Sequence, residues 1–261
     1  MQIMVLQFEI KFGDVNANIK KIESLLQDTE IENSNIIVLP ELWTTGYDLE
    51  NINKLATDNL EPMKTFIQKL AKEYNINIVA GSVMNKKSEG IMNTSFVVNR
   101  NGECIHEYSK IHLVPMMKEP EYMVGGNNKA STFELDGVNM GVLICYDLRF
   151  PELFRRLALG GAKIIYVVAE WPIERTNQWL TLLKARAIEN QCFIVASNIV
   201  GKQPIGAEFA GNSIIIDALG NVIEKADSKE ETVLFGRINL GDIKKVRSEV
   251  PIFTSRRPEI Y

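Results

Sequence analysis

Cys145 closes the run Gly141-Val142-Leu143-Ile144 and is followed by Tyr146-Asp147-Leu148-Arg149-Phe150-Pro151-Glu152. The apolar residues before it read as a buried strand. Pro151 and Glu152 read as the first turn of a helix, where a missing N–H costs nothing and an acid meets the positive end of the dipole. A nucleophile at a sharp strand-to-helix connection projects from the sheet edge, close to free backbone N–H groups. Acyl transfer needs that geometry. The same thiol could equally be one more small buried hydrophobe. Two other residues stand at strand ends. Glu41 follows Ile36-Ile37-Val38-Leu39-Pro40, and Lys110 follows Tyr108-Ser109. Taken singly, each reads as a solvated surface charge. Taken together, a carboxylate, an ammonium and a thiol could act as base, electrophile and nucleophile.

The elements that must position these groups follow from periodicity. Strand signals cover Ile3–Phe8, Ile36–Leu39, Ile76–Val83, Thr94–Asn99, Glu103–Glu107, Val138–Ile144, Ile164–Ala169, Cys192–Ser197, Ser213–Ile216, Val222–Lys225 and Thr232–Ile238. Helices are expected near Asn16–Gln27, Met63–Tyr74, Pro151–Leu159 and Thr176–Asn190, the second with a clean 3.6 period from Met63 to Tyr74. Asn101-Gly102 and Gly220-Asn221 read as hairpin turns, each closing a run of alternating strands and helices. Strand–helix–strand units imply parallel neighbours and hairpins add antiparallel ones. Helices then cover one face of each sheet. Pattern alone leaves two arrangements: two sheets back to back, or one sheet covered on both faces. A short helix is expected from Gly241, followed by a tail whose apolar Ile252, Phe253, Ile260 and Tyr261 have no obvious destination within the chain.

Composition removes several function classes. The chain has 261 residues, 46% of them hydrophobic, enough for one large core. Net charge is −4, and the basic residues form only pairs such as Lys20-Lys21 and Arg256-Arg257. No nucleic-acid partner is expected from that pattern. No apolar run reaches the length of a membrane span, and Met1–Phe8 lacks the basic start of a signal peptide. Three cysteines, an odd number, point to free thiols in a reducing cytoplasm, with Cys104 and Cys192 as packing residues. With two histidines and no ligand spacing, neither a metal nor any other cofactor is expected.

Pro-Glu-Leu-Trp at 40–43, Lys-Ile-His-Leu at 110–113 and Cys-Tyr-Asp-Leu-Arg-Phe-Pro-Glu at 145–152, in that order, resemble the nitrilase (carbon–nitrogen hydrolase) superfamily over nearly the whole chain. The resemblance implies an α/β fold, a four-layer αββα sandwich, built as one domain over residues 1–261. It implies a Glu41–Lys110–Cys145 triad that hydrolyses a small amide through a thioester. A carboxylate of ordinary pKa, about 4.3, is a weak base for a thiol near about 8.5, so burial and a cation must adjust both. Lys110 would favour the thiolate and, with the backbone N–H of Tyr146, face the developing oxyanion. A second glutamate supports such triads. Glu119, three residues before Tyr122, fits the pattern better than Glu121. His112, two residues beyond Lys110, is the competing base, since Cys–His pairs are common on unrelated folds. Arg149 has two readings: an ion pair with Asp147 or Glu152, or a grip on the distal carboxylate of a dicarboxylic monoamide. Trp43, Tyr47 and Trp171 could line a pocket or simply pack.

The stretches at 169–172, 186–191 and 208–213 look most like bacterial ω-amidase-type members, some linked to methionine salvage, which act on 2-oxoglutaramate or a related ω-amide. Other amidases and N-carbamoyl hydrolases of the superfamily remain alternatives, as does a silent member that binds a metabolite or partner. The resemblance also implies a homodimer or higher homo-oligomer, with the tail across the interface. Since Lys110 suffices as electrophile in this reading, turnover should survive a strong chelator and be lost to a thiol-alkylating agent. Chelator-sensitive turnover restored by zinc would refute it.

Overall fold

The computed structural model describes residues 1–27, 31 and 34–260. In its first half β1 (Gln2–Gln7), α1 (Val15–Gln27), β2 (Ile36–Val38), α2 (Ile52–Leu55), β3 (Thr57–Asp58), α3 (Met63–Glu73), β4 (Asn77–Val79), β5 (Val83–Lys87), β6 (Gly90–Val98) and β7 (Cys104–Ser109) follow in order. The second half runs α4 (Glu119–Tyr122), β8 (Phe133–Leu135), β9 (Val138–Ile144), α5 (Pro151–Leu159), β10 (Ile164–Val168), α6 (Thr176–Asn190), β11 (Phe193–Ser197), β12 (Ile214–Ile216), β13 (Val222–Lys225), β14 (Thr232–Arg237) and α7 (Gly241–Glu249).

Two sheets result. One has the order β14-β1-β2-β4-β6-β5-β3, with β7 also paired to β6; the other runs β13-β12-β11-β10-β9-β8. β1, β2 and β4 are parallel, as are β9, β10 and β11. Alternation along each strand decides the layers. Ile3, Val5, Ile36 and Val38 face a core shared with Val142, Ile144, Ile165 and Val195 of the other sheet. Met4, Leu6 and Ile37 face the opposite way, onto Ile22, Leu26, Ile67 and Leu70 of α1 and α3. Phe154, Leu157, Trp179 and Leu183 of α5 and α6 cover the second sheet. The layers are therefore helix, sheet, sheet, helix, the αββα sandwich expected. The sheets are also bonded to each other: the Ser197 hydroxyl donates to the Leu6 carbonyl at 2.8 Å.

Some expectations need correction. Ile76–Val83 is not one strand. β4 and β5 lie on opposite sides of β6, because the chain turns at Gly81, where φ is +57°. β8 is an addition to the expected strands, joined to β9 by a turn at Asp136-Gly137, both at positive φ. One residue of the tail, Phe253, has a destination within the chain, while Ile260 stays exposed. Phe253 sits beneath the guanidinium groups of Arg155 and Arg247, 5.3 and 4.8 Å from its ring centre, a cation–π arrangement within the chain. Tyr261 lies outside the described residues.

The strand order sends β2, β7, β9 and β10 out toward a common end. The segment that follows β2 is fixed by close backbone approach. A Cβ on Gly81 would stand 1.9 Å from the Pro40 carbonyl oxygen. Gly81→Ala should therefore cost more than about 1 kcal/mol in a urea melt and reduce activity by displacing Glu41. An unchanged melt would show that this contact does not hold the segment.

Candidate active site

Each site group stands just past a strand end. Glu41 follows β2 through Leu39 and Pro40, Lys110 follows β7 directly, Cys145 follows β9 directly, and Glu170 follows β10 through Ala169. Glu41, Lys110, Glu119 and Glu170 are fully buried, and Cys145 is nearly so. Cys145 has φ +44°, in the left-handed region that side chains avoid. Such a residue costs about 1–3 kcal/mol and persists where its surroundings hold it. It opens a 3-10 turn, Cys145–Arg149, whose first amides have no partner within the turn. The Tyr146 N–H is among them.

Asp147 holds this elbow against the lysine segment. Its carboxylate accepts from the Tyr108 hydroxyl at 2.7 Å and from the His112 backbone N–H at 3.1 Å, and its Oδ1 lies 2.8 Å from His112 Nδ1. Tyr108 and His112 flank Lys110, so one buried carboxylate sets the spacing between thiol and ammonium. His112 is thereby occupied. Its ring also stacks on Phe150 at 3.4 Å between centres. His112 and Lys110, two residues apart, reach different partners because the chain leaves strand geometry at Lys110.

Lys110 Nζ donates to Glu41 Oε1 at 2.8 Å and to Glu119 Oε1 at 2.7 Å. Glu119 also accepts from the Tyr47 hydroxyl at 2.8 Å and the Val114 N–H at 2.6 Å. Glu41 Oε1 accepts from Asn93 Nδ2, and Glu41 Oε2 from the Glu170 N–H, both at 2.8 Å. Glu121 is exposed and takes no part. Burial opposes the Lys110 charge, but Glu119 and Glu41 outweigh it and hold the ammonium well above the usual lysine range. Burial, and then Lys110 in opposition, set Glu119, which is raised.

Cys145 departs from the expected thiolate. Burial and the Glu41 carboxylate raise its thiol more than Lys110 lowers it. The resting group is therefore a thiol whose proton has a carboxylate beside it. Such an arrangement can pass the proton to Glu41 as sulfur attacks, rather than store a thiolate.

Arg149 pairs with neither Asp147 nor Glu152. Its guanidinium donates to Gln178 Oε1 at 2.8 Å and lies over the Trp171 ring at 4.7 Å, and its Nε is buried without a partner. Asp147 is already taken, which explains the difference. Trp43 packs in the helix-covered core and donates to the Ala80 carbonyl, so it is a packing residue. Tyr47 belongs to the site through its hydroxyl. It also lines a cavity of about 790 Å³ with Met116, Met117, Tyr122, Arg175 and Ile205.

Sequence reasoning missed Glu170, Gln203 and Asn93. A signal for Glu170 was present: an acid after the apolar run Ile164–Ala169 repeats the pattern of Glu41 after Ile36–Leu39.

The carbon-nitrogen hydrolase family pattern matches residues 2–248. The chain belongs to that family. A 2-oxoglutaramate amidase of Bacillus subtilis is 42% identical over 99% of this chain and 98% of its own. A protein described as a hydrolase in the agr operon of Staphylococcus aureus is 41% identical over the full length of both. The crystal structure of a carbon-nitrogen hydrolase from Helicobacter pylori, 25% identical, superposes with a TM-score of 0.93 over 100% of this chain and 96% of that one. The sandwich is thus the fold of this family, and the chain is a carbon–nitrogen hydrolase. No described helix of it is long and apolar enough to cross a membrane.

The electrostatics give a test with a definite sign. Glu41 raises the Cys145 thiol, so Glu41→Gln should shift the pH dependence of Cys145 alkylation downward. Lys110→Met, which removes the lowering charge, should shift it upward. Iodoacetamide labelling followed by intact-mass analysis across pH reads both. An upward shift in Glu41→Gln would contradict the arrangement.

Proposed function

We propose that this hydrolase is an ω-amidase that releases ammonia from the amide of a 2-oxo dicarboxylic acid such as 2-oxoglutaramate. The observation that carries the chemistry is the closed contact of Glu41, Lys110 and Glu119 beside the Cys145 thiol. In this reading the Cys145 sulfur attacks the amide carbon while Glu41 takes the thiol proton. Charge grows on the carbonyl oxygen, faced by the Lys110 ammonium and the Tyr146 N–H. Glu41 returns the proton to nitrogen, the C–N bond breaks, and ammonia leaves a thioester on Cys145. Glu41 then deprotonates a water that attacks the thioester, and the acid departs as the thiol is restored. Glu119 takes no proton in this course. It holds Lys110 and, through Tyr47, the geometry around it.

The substrate class is supported by the 2-oxoglutaramate amidase relative and by Arg149. Arg149 lies four residues past Cys145, and its unpartnered Nε leaves a donor for a distal carboxylate. A homo-oligomer belongs to the same reading, supported by the exposed Val250 and Ile260 of the tail. A cytoplasmic site of action is supported by the free thiols of Cys104 and Cys192.

Cys145→Ala and Glu41→Gln should each lower kcat roughly a thousandfold or more, and the double variant should lose little beyond either single one. Both should melt near the wild type. Lys110→Met should lose turnover and also about 3–5 kcal/mol of stability, since two buried carboxylates lose their cation. Retained turnover in Glu41→Gln with loss in His112→Ala would shift the base to His112. Arg149→Met should lower kcat/KM for 2-oxoglutaramate by roughly ten- to a hundredfold while sparing a neutral aliphatic amide. Equal losses on both would place the carboxylate site elsewhere.

A further inference from the structure

Glu170 is a third carboxyl in the buried cluster, and among the described residues no cation lies within ion-pair distance of it. We propose that Glu170 reads the substrate: its free Oε1 donates a hydrogen bond to an acceptor oxygen of the bound amide beyond the reacting carbonyl, the 2-oxo oxygen in a 2-oxo ω-amide. The inference rests on the substrate class proposed above and names the group that recognises its oxo function.

The backbone of Glu170 touches both reacting groups. Its N–H donates to Glu41 Oε2 at 2.8 Å, and its carbonyl lies 3.9 Å from the Cys145 sulfur, which donates to it. The side chain therefore starts one bond from the chemistry. It is fixed at one oxygen: Oε2 accepts from Gln203 Nε2 at 2.8 Å, and Gln203 Oε1 accepts in turn from the Tyr47 N–H at 3.1 Å. Oε1 is buried and makes no hydrogen bond within the protein.

The charges around it decide its protonation. Lys110 gives two N–H bonds to Glu41 and Glu119 at 2.8 and 2.7 Å, and its third, which makes only a long 3.4 Å contact with the Tyr47 hydroxyl, is the one that can turn to the substrate's amide oxygen. Nothing cationic is left for Glu170, and a third buried carboxylate without a partner is costly. Burial, followed by the Glu41 charge, raises its carboxyl well above the usual range, against smaller opposing effects of Gln203 and Lys110. The neighbouring groups on the other elements are Glu41, Lys110, Glu119, Tyr47 and Cys145. Because Oε2 receives the Gln203 hydrogen, the proton sits on Oε1. A buried O–H with no acceptor in the protein is matched by an acceptor on the ligand. A 2-oxo ω-amide has its distal carboxylate for Arg149 and its amide oxygen for Lys110. The oxo oxygen is the acceptor that remains.

The test compares 2-oxoglutaramate with glutaramate, which keeps the carboxylate and lacks the oxo group, in wild type, Glu170→Gln and Glu170→Leu. Gln keeps both functions, since its oxygen can take the Gln203 hydrogen and its NH2 can donate. Glu170→Gln should therefore keep the preference for the oxo substrate. Glu170→Leu should lower kcat/KM for 2-oxoglutaramate roughly ten- to a hundredfold more than it lowers that for glutaramate. Melting curves give a readout free of substrate. The folded state holds a proton that the unfolded glutamate gives up above about pH 4.3. Wild-type stability should thus fall, relative to Glu170→Gln, as pH rises from that point. Equal losses on both amides in Glu170→Leu, a Glu170→Gln as impaired as Glu170→Leu, or parallel stability–pH curves would each overturn the inference. The substrate proposal fails differently. It falls if wild type turns over both dicarboxylic amides no faster than a neutral amide. If both are fast and alike, it stands and the role of Glu170 is refuted.

Discussion

Lys110 carries its charge fully buried, and Glu41 and Glu119 hold it there at 2.8 and 2.7 Å. An isolated ammonium at that depth would lose its proton. Two carboxylates keep it charged, and in doing so they are themselves kept in place. Glu119 is anchored by the Val114 N–H and Tyr47, and Glu41 by Asn93 and the Glu170 N–H. A buried ion pair of this kind is poor evidence of stability, because desolvation offsets most of the attraction. Its value here is placement: a fixed positive charge and a fixed base beside one sulfur.

The sandwich exists to bring those groups to one place. Parallel strands end on the same side, so side chains just past β2, β9 and β10 converge without long loops. β7 arrives from an antiparallel hairpin and supplies the lysine. Two devices tighten the convergence. Asp147 bonds the Cys145 elbow to both sides of Lys110, and the Gly81 turn lets the chain lie against the Pro40 carbonyl beside Glu41. Neither device touches the thiol, yet each fixes a distance on which the chemistry depends.

The protonation of the thiol follows from the same burial. Burial, with the Glu41 and Glu119 carboxylates set against the single Lys110 ammonium, opposes a thiolate at Cys145. Sulfur becomes nucleophilic only as Glu41 accepts its proton. That coupling separates this arrangement from sites that store a thiolate beside a histidine cation.

Much of this was legible in the residues. Alternation gave the strands and the 3.6 period gave the helices; α5 and α6 begin and end where the pattern placed them. Both arise from contacts within a few residues, which sequence records directly. The three strand-end groups Glu41, Lys110 and Cys145 were visible for the same reason, since a charge or thiol closing an apolar run stands out locally. Tertiary structure decided what those groups meet. It split Ile76–Val83 at Gly81, turned His112 onto Asp147, and gave Arg149 to Gln178 and Trp171. It also brought Gln203, 156 residues from Tyr47, between the Tyr47 N–H and the Glu170 carboxyl. Sequence determines which side chains leave the ends of strands, because that depends on neighbours along the chain. Which of them share a proton, a cation or an unpaired oxygen depends on burial and distance, and only the packed sheets set those.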